Sequence, residues 1–227
     1  MSETRPAPGS QTLARGLRAL ELVAQAADGA SIQEIAAELG VHRSIASRLL
    51  STLAEARLAV RGADGRYRAG AGLAALAVGI HASLRAAAEP VMRELAAKLG
   101  ATISLLVVEG DEAVALAVIE PPSSAYVLSF RTGSRHPLGR GSAGVALLAA
   151  QAAAPRETEA VRTAREQGYA ATFGEVEPGA YGVAVPLRHT DGLPVACLNL
   201  ITYREEIADS AAPVLMDAAE RISDALR

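Results

Sequence analysis

Among 227 residues the chain has one cysteine, no tryptophan and two phenylalanines, and its 22 basic residues include a single lysine, Lys98. A lone Cys197 excludes an intrachain disulfide framework and a cysteine-rich zinc site. It fits a reducing compartment, so the chain is expected in the cytoplasm. Aromatics make up 3% of a sequence that is 50% hydrophobic, so the core has to be packed from Ala, Leu and Val, which suits helices and a small sheet. The Arg- and Ala-rich, Lys-poor bias is that of a GC-rich coding sequence. Long apolar runs are also missing. The most apolar stretches, 71–80 and 145–154, are too short to span a bilayer, and the polar, proline-containing start lacks the apolar stretch of a secretory signal. No membrane partner is expected. His42, His81, His136 and His189 are scattered, none three or four residues from another, so no metal site and no cofactor are expected.

The length favours two domains, and the charge divides with them. Residues 1–80 hold nine Arg against seven Asp and Glu, whereas residues 81–227 hold thirteen Lys and Arg against eighteen acidic residues. The net charge of −3 thus hides a mildly basic N-terminal end, as in a small nucleic-acid-reading module beside an acidic partner domain.

In that basic end, Leu13, Leu17, Leu20, Val23 and Ala24 recur at helical spacing and predict a first helix ending near Asp28-Gly29. Ser31, with Glu34 three residues on, forms a capping-box pattern ahead of a second helix whose buried stripe is Ile32, Ile35, Ala36 and Leu39. Gly40 stops it. A third helix from about Arg43 places Ile45, Ala46, Leu49, Leu50 and Leu53 on one face. A glycine turn between two helices lets them cross closely, so that the third can be inserted in a major groove. Arg43, Ser44, Ser47 and Arg48 lie near its N-terminal half: Arg can fork to guanine or clamp phosphate, and Ser can bond either. Leu58–Arg61 and Arg66–Arg68 flank Gly62-Ala63-Asp64-Gly65, a hairpin signal. Its Arg61, Arg66 and Arg68 suit a phosphate backbone or minor groove. The plain alternative is that these are solvated arginines on an ordinary three-helix domain.

The run from Ser31 to Val41, then Arg43-Ser44 to Arg48-Leu49-Leu50, then Tyr67-Arg68-Ala69-Gly70, resembles the IclR family of bacterial transcription regulators. The chain differs from that pattern at Ile45, where Thr is common, at Ser47, where His is frequent, and at Val145, usually Lys. The resemblance continues through His136-Pro137-Leu138, Gly144 to Ala149, Gly168-Tyr169-Ala170, Glu177-Pro178-Gly179 and Ala184 to Leu187, covering nearly the whole chain from about Thr12. It implies an α+β protein with a winged helix-turn-helix domain over 1–70, a linker helix over 71–85, and a GAF-like effector-binding and oligomerisation domain over 86–227. Leu73, Leu76, Ala77 and Ile80 make the linker a sparsely charged apolar stripe. Such a stripe wants a partner helix, as in the family, where this segment pairs subunits, or a seat on its own C-terminal domain. A homodimer or a dimer of dimers is expected.

Further on, the pattern predicts a helix from Pro90 to Leu99 and strands at Thr102–Val108, Ala113–Ile119 and Tyr126–Phe130. A polar loop over 131–138 leads to helices at Ser142–Ala152 and Arg156–Gln167. Strands at Gly182–Leu187 and Leu193–Ile201 and a last helix from about Ser210 complete an antiparallel α+β domain. Gly139-Arg140-Gly141-Ser142-Ala143-Gly144 matches Gly-x-Gly-x-x-Gly, but the dinucleotide motif needs a strand immediately before it in a parallel βαβ unit. Ser142 also falls short of a nucleophile elbow, because Arg140 stands where glycine is required. The same loop makes a better anion cradle, since the first amides of the following helix are unpaired and would suit a carboxylate.

By resemblance, the effector-contacting positions are Ser142, Ala143, Thr172, Gly182, Asn199 and Ile201. Strand alternation supports the set, placing Cys197, Asn199 and Ile201 on one face. Asn199 there needs a hydrogen-bond partner, supplied by a ligand, a water or a backbone group. Cys197 reads as a small core hydrophobe. The function expected is therefore a repressor whose operator binding is modulated by a small organic acid, with no catalytic residues. The rivals are a hydrolase acting through Ser142 or Cys197 with an accessory DNA-binding domain, and a DNA-binding structural protein without a ligand.

Overall fold

The structure, a computed structural model, describes residues 10–122, 129–188 and 190–227. It divides into two compact units at Ile80/His81.

The first unit is built on α1 (Gln11–Gln25), α2 (Ile32–Glu38) and α3 (Arg43–Glu55), followed by the antiparallel hairpin β1 (Ala59–Arg61) and β2 (Tyr67–Ala69). Ser31 and Glu34 close the expected capping box reciprocally, an arrangement that contributes about 0.5–2 kcal/mol. Gly40 at φ 60° makes the turn into α3. The core gathers Ala19, Val23, Ile35, Ala36, Ala46, Leu50, Leu53 and Tyr67. Two apolar stripes are corrected. Leu13, Leu17 and Ala24 stay exposed because α1 buries the face of Ala19 and Val23 instead, and Ile45 projects outward at 39% exposure.

The expected linker helix over 71–85 is interrupted. A short α4 (Gly72–Ala77) ends in a turn, and His81, in the left-handed region at φ 44°, precedes α5 (Ala82–Leu99). Pro90 does not start that helix but lies within it on the exposed side, where the carbonyl it leaves without an amide partner can bond water.

The second unit is a six-stranded antiparallel sheet in the order β5-β4-β3-β8-β7-β6, with helices on both faces. Its strands are β3 (Thr102–Glu109), β4 (Glu112–Ile119), β5 (Arg135–Pro137), β6 (Ala170–Phe173), β7 (Tyr181–Pro186) and β8 (Ala196–Thr202). Alternation divides β8 as expected: Leu198 and Leu200 pack with α5 and the last helix α8 (Glu205–Ala225), while Cys197 and Ile201 face α6 (Gly141–Ala149) and α7 (Glu159–Gln167). Alternation gives β4 a face on each core, and a bulge opposite Leu105/Leu106 switches its parity, so that Val114 and Ala117 share one side while Ala113 and Ala115 share the other.

The third strand expected at Tyr126–Phe130 lies outside the described residues at 126–128, and Phe130 itself is in no strand. The expected loop over 131–138 instead contains β5, an edge strand three residues long paired antiparallel with β4. A strand therefore does precede the Gly-x-Gly-x-x-Gly run, but in the antiparallel sense that a dinucleotide fold does not use. α8 begins at Glu205 rather than near Ser210, carrying Pro213 on its exposed side. Among the described residues no helix is long and apolar enough to cross a membrane.

Candidate functional site

In the first unit α3 is held by its buried face and by an unpredicted cap. His42 accepts the Ser44 amide on Nδ1 at 3.3 Å and lies 2.9 Å from the Ser44 hydroxyl. The outward face carries Arg43 and Arg48, both exposed and without an ion pair among the described residues, together with Ser44 and the exposed Ile45. Ser47 is half-buried.

The three hairpin arginines separate in role. Arg66 bonds the Gly29 carbonyl at 2.9 Å and pairs with Glu34 at 2.8 Å, tying the hairpin to the capping box of α2. Hydrogen bonding from the Ser31 amide, then from Arg66, holds the Glu34 carboxyl below its usual range. Arg68 pairs with Asp64 at 2.7 Å across the turn and reaches the Asp28 carbonyl at 3.1 Å. Arg61 stays exposed, its guanidinium 5.8 Å from the Tyr67 ring centre. Arg43, Arg48 and Arg61 are thus available to an external anion, whereas Arg66 and Arg68 are engaged within the unit.

In the second unit Ser142, Ala143, Thr172, Gly182, Asn199 and Ile201 all line one cavity of about 390 Å³, part of it open to solvent. It lies at the N-terminus of α6 and is also lined by Phe130, His136, Gly141, Glu175, Val176 and Tyr181. Asn199 needs no external partner. Its side-chain oxygen accepts the Ser142 hydroxyl at 2.9 Å, and its amide donates to Ser104 Oγ at 3.2 Å. A β-carbon at Gly182 would collide with Ser142 Oγ, so glycine makes room for this relay.

The anion cradle read from the sequence already carries a carboxylate, because the Gly141 amide donates to Glu175 Oε2 at 2.7 Å. Sequence reasoning missed Glu175 and also His136, which is 6% exposed with neither ring nitrogen hydrogen-bonded among the described residues. His136 lies only five residues before α6 and within a stretch shared with the family, but nothing in its spacing marks it as a site residue, whereas Glu175 is brought to α6 by the fold alone. Burial pushes the His136 pKa down, assisted by Arg140, so the ring is neutral near pH 7.

Hydrolytic chemistry finds no support in this geometry. Ser142 donates to an amide oxygen, which is not a base, and burial pushes the fully enclosed Cys197 thiol far up, away from the reactive thiolate. No group of three His, Cys, Asp or Glu suited to a metal ion occurs among the described residues.

Comparison with known proteins follows the same division. The sequence profile of the IclR helix-turn-helix domain matches residues 12–62, and that of the bacterial transcriptional regulator IclR C-terminal domain matches residues 77–161. The HTH-type transcriptional regulator Rv1719 of Mycobacterium tuberculosis is 33% identical over 143 residues, 63% of this chain and 55% of that relative, so this chain spans little more than half of it. The HTH-type transcriptional regulator XynR of Escherichia coli is 28% identical over 228 residues, 89% of this chain and 90% of the relative. An IclR homologue from Microbacterium hydrocarbonoxydans, solved in complex with 4-hydroxybenzoate, superposes with a TM-score of 0.77 at 25% identity, covering 96% of this chain and 99% of that one. Two family profiles in the right order, on a helix-turn-helix unit and an antiparallel α+β unit, assign this chain to the IclR family of transcriptional regulators, whose members are DNA-binding transcription factors and not enzymes.

Proposed function

We propose that the chain is a repressor that binds operator DNA through α3 and the β1–β2 wing and whose affinity is set by a small organic acid in the cavity of the second unit. The observation that carries this reading is the outward face of α3, where Arg43 and Arg48 stand exposed on a helix anchored by its opposite face. There an Arg fork meets guanine edges or phosphate, and Ile45 offers an apolar contact to a thymine methyl. Arg61 on the wing suits a neighbouring phosphate. Arg66 and Arg68 contribute by fixing the wing to α2 and across its own turn.

The effector half of the reading rests on the single cavity shared by Ser142, Ala143, Thr172, Gly182, Asn199 and Ile201, where apolar walls surround a few polar groups. The relative bound to 4-hydroxybenzoate supports a small acid as the ligand class. Leu76, Val78 and Ile80 are 68%, 73% and 47% exposed in succession. That apolar exposure supports a homodimer or dimer of dimers paired through this segment, presenting two α3 helices to adjacent half-sites. The effector would act by favouring one subunit arrangement over the other, which requires different affinity for the two. The single buried cysteine and the lack of a membrane-spanning helix among the described residues support work in the cytoplasm.

The test is a gel-shift assay of the purified protein on its own upstream intergenic DNA at fixed salt, with and without a panel of small acids. A sequence-specific shift altered by one acid is expected. Absence of any specific shift overturns the regulatory reading.

A further inference from the structure

His136 and Glu175 stand at the end of the cavity where α6 begins, outside the relay formed by Ser142, Asn199 and Ser104. The neutral His136 ring offers one N–H donor and one bare acceptor, and buried groups of this kind are rarely left without partners. Its Nε2 lies 3.9 Å from the position a β-carbon would take at Gly141, so the ring faces the start of α6. The Gly141 amide, the first of α6, is meanwhile taken by Glu175. Glu175 belongs to the β6–β7 loop and is itself solvent-exposed; Arg140 holds its backbone carbonyl at 2.9 Å. A β-carbon at Gly141 would come within 2.6 Å of the Val176 side chain, so glycine there lets this loop close over the helix end. Two carboxylates, Glu175 and Glu177, line the cavity, and no Arg or Lys does among the described residues. The lining itself therefore offers an entering acid no cation; Arg140, on the Glu175 carbonyl and close enough to lower the His136 pKa, stands outside it. The amide such an acid would use carries a carboxylate of the protein's own, and His136 stands unbonded beside that amide.

We propose that Glu175 is a built-in stand-in for the effector: the carboxylate of a small organic acid displaces it from the Gly141 amide, takes the His136 N–H as a second donor, and so releases the 174–180 loop. The inference rests on the reading of this cavity as an effector site, and it adds an internal competitor and a recognition residue to that site. The exchange moves no proton. One carboxylate replaces another on the amide, and the imidazole gains its missing acceptor. Because binding opens a loop, the signal to the rest of the unit starts at Glu175.

The test titrates acetate, benzoate and 4-hydroxybenzoate, each beside its amide, into the full chain by calorimetry, for wild type, Glu175→Ala, Glu175→Gln and His136→Phe. Removing the competitor is expected to tighten acid binding about tenfold in Glu175→Ala and less in Glu175→Gln, whose amide oxygen still competes, while His136→Phe weakens it about tenfold. The amides should bind wild type at least tenfold more weakly than the acids, and hydrogen exchange of the 174–180 loop should speed up on acid saturation. The proposal is overturned if both Glu175 variants bind the acids no better than wild type, if the amides bind as well as the acids, or if none of the three acids binds Glu175→Ala. A normal acid titration with no specific gel shift on upstream DNA would instead remove the regulatory reading and leave this exchange standing.

Discussion

Ser142 on α6 donates its hydroxyl hydrogen to the side-chain oxygen of Asn199 on β8 at 2.9 Å, joining two elements 57 residues apart inside the second unit. Both residues are buried, so Ser142→Ala leaves an acceptor without its donor and is expected to destabilise the chain by about 1–3 kcal/mol. Gly182→Ala attacks the same bond by crowding the hydroxyl. Urea unfolding of both variants checks this. Unchanged midpoints would mean that the bond does not form in solution.

The arginines of the first unit should separate into two classes. Arg48→Ala removes the exposed group proposed to read base edges and is expected to cost about 1–3 kcal/mol of operator affinity. Arg61→Ala should lower the salt dependence of binding by about one phosphate contact. Arg66→Ala breaks the tie to Glu34 and Gly29 instead, so its loss of DNA affinity should come with a lowered melting temperature. Binding isotherms at several salt concentrations, paired with thermal melts, distinguish these outcomes.

The two units were legible in the sequence because their signals are local. The capping box at Ser31 and Glu34, the turn at Gly40 and the glycine hairpin at 62–65 all specify backbone within a few residues. The six residues expected to contact an effector line one cavity because resemblance transmits a fold's long-range contacts and strand alternation sets the face of β8. What stayed hidden depends on contacts between distant segments. Nothing near Glu175 in the chain announces that it will sit on the Gly141 amide, and β5 is too short for a period to show. Pro90 misled as a helix start, since a proline on the solvent side of a helix is tolerated where one facing the core would not be.

The segment between α4 and α5 gives a test of assembly. Leu76, Val78 and Ile80 are exposed within a single chain, and replacing Leu76 and Ile80 together with Asp places charge where subunits would pair. Light scattering after size exclusion is expected to report a shift from dimer or tetramer toward monomer. Operator affinity should fall with it, because two recognition helices no longer bind as one body. A variant that keeps the wild-type mass would locate the subunit contact elsewhere.

His136 makes a prediction about pH. Burial lowers its pKa below the ordinary histidine value of 6.5, so the unfolded chain takes up a proton at a higher pH than the folded one. Stability contributed by the neutral ring is therefore intact above about pH 6.5 and declines as the pH falls from there through the lowered folded value. His136→Phe removes both this proton linkage and two buried unpaired nitrogens. The variant is expected to match or exceed wild-type stability at pH 7.5 and to gain on it as the pH falls below about 6.5, until the folded ring itself takes up a proton, as read from urea midpoints. Parallel loss of stability in the two proteins over that range would show that His136 takes up a proton as readily in the folded chain as in the unfolded one, and so is not held neutral by burial.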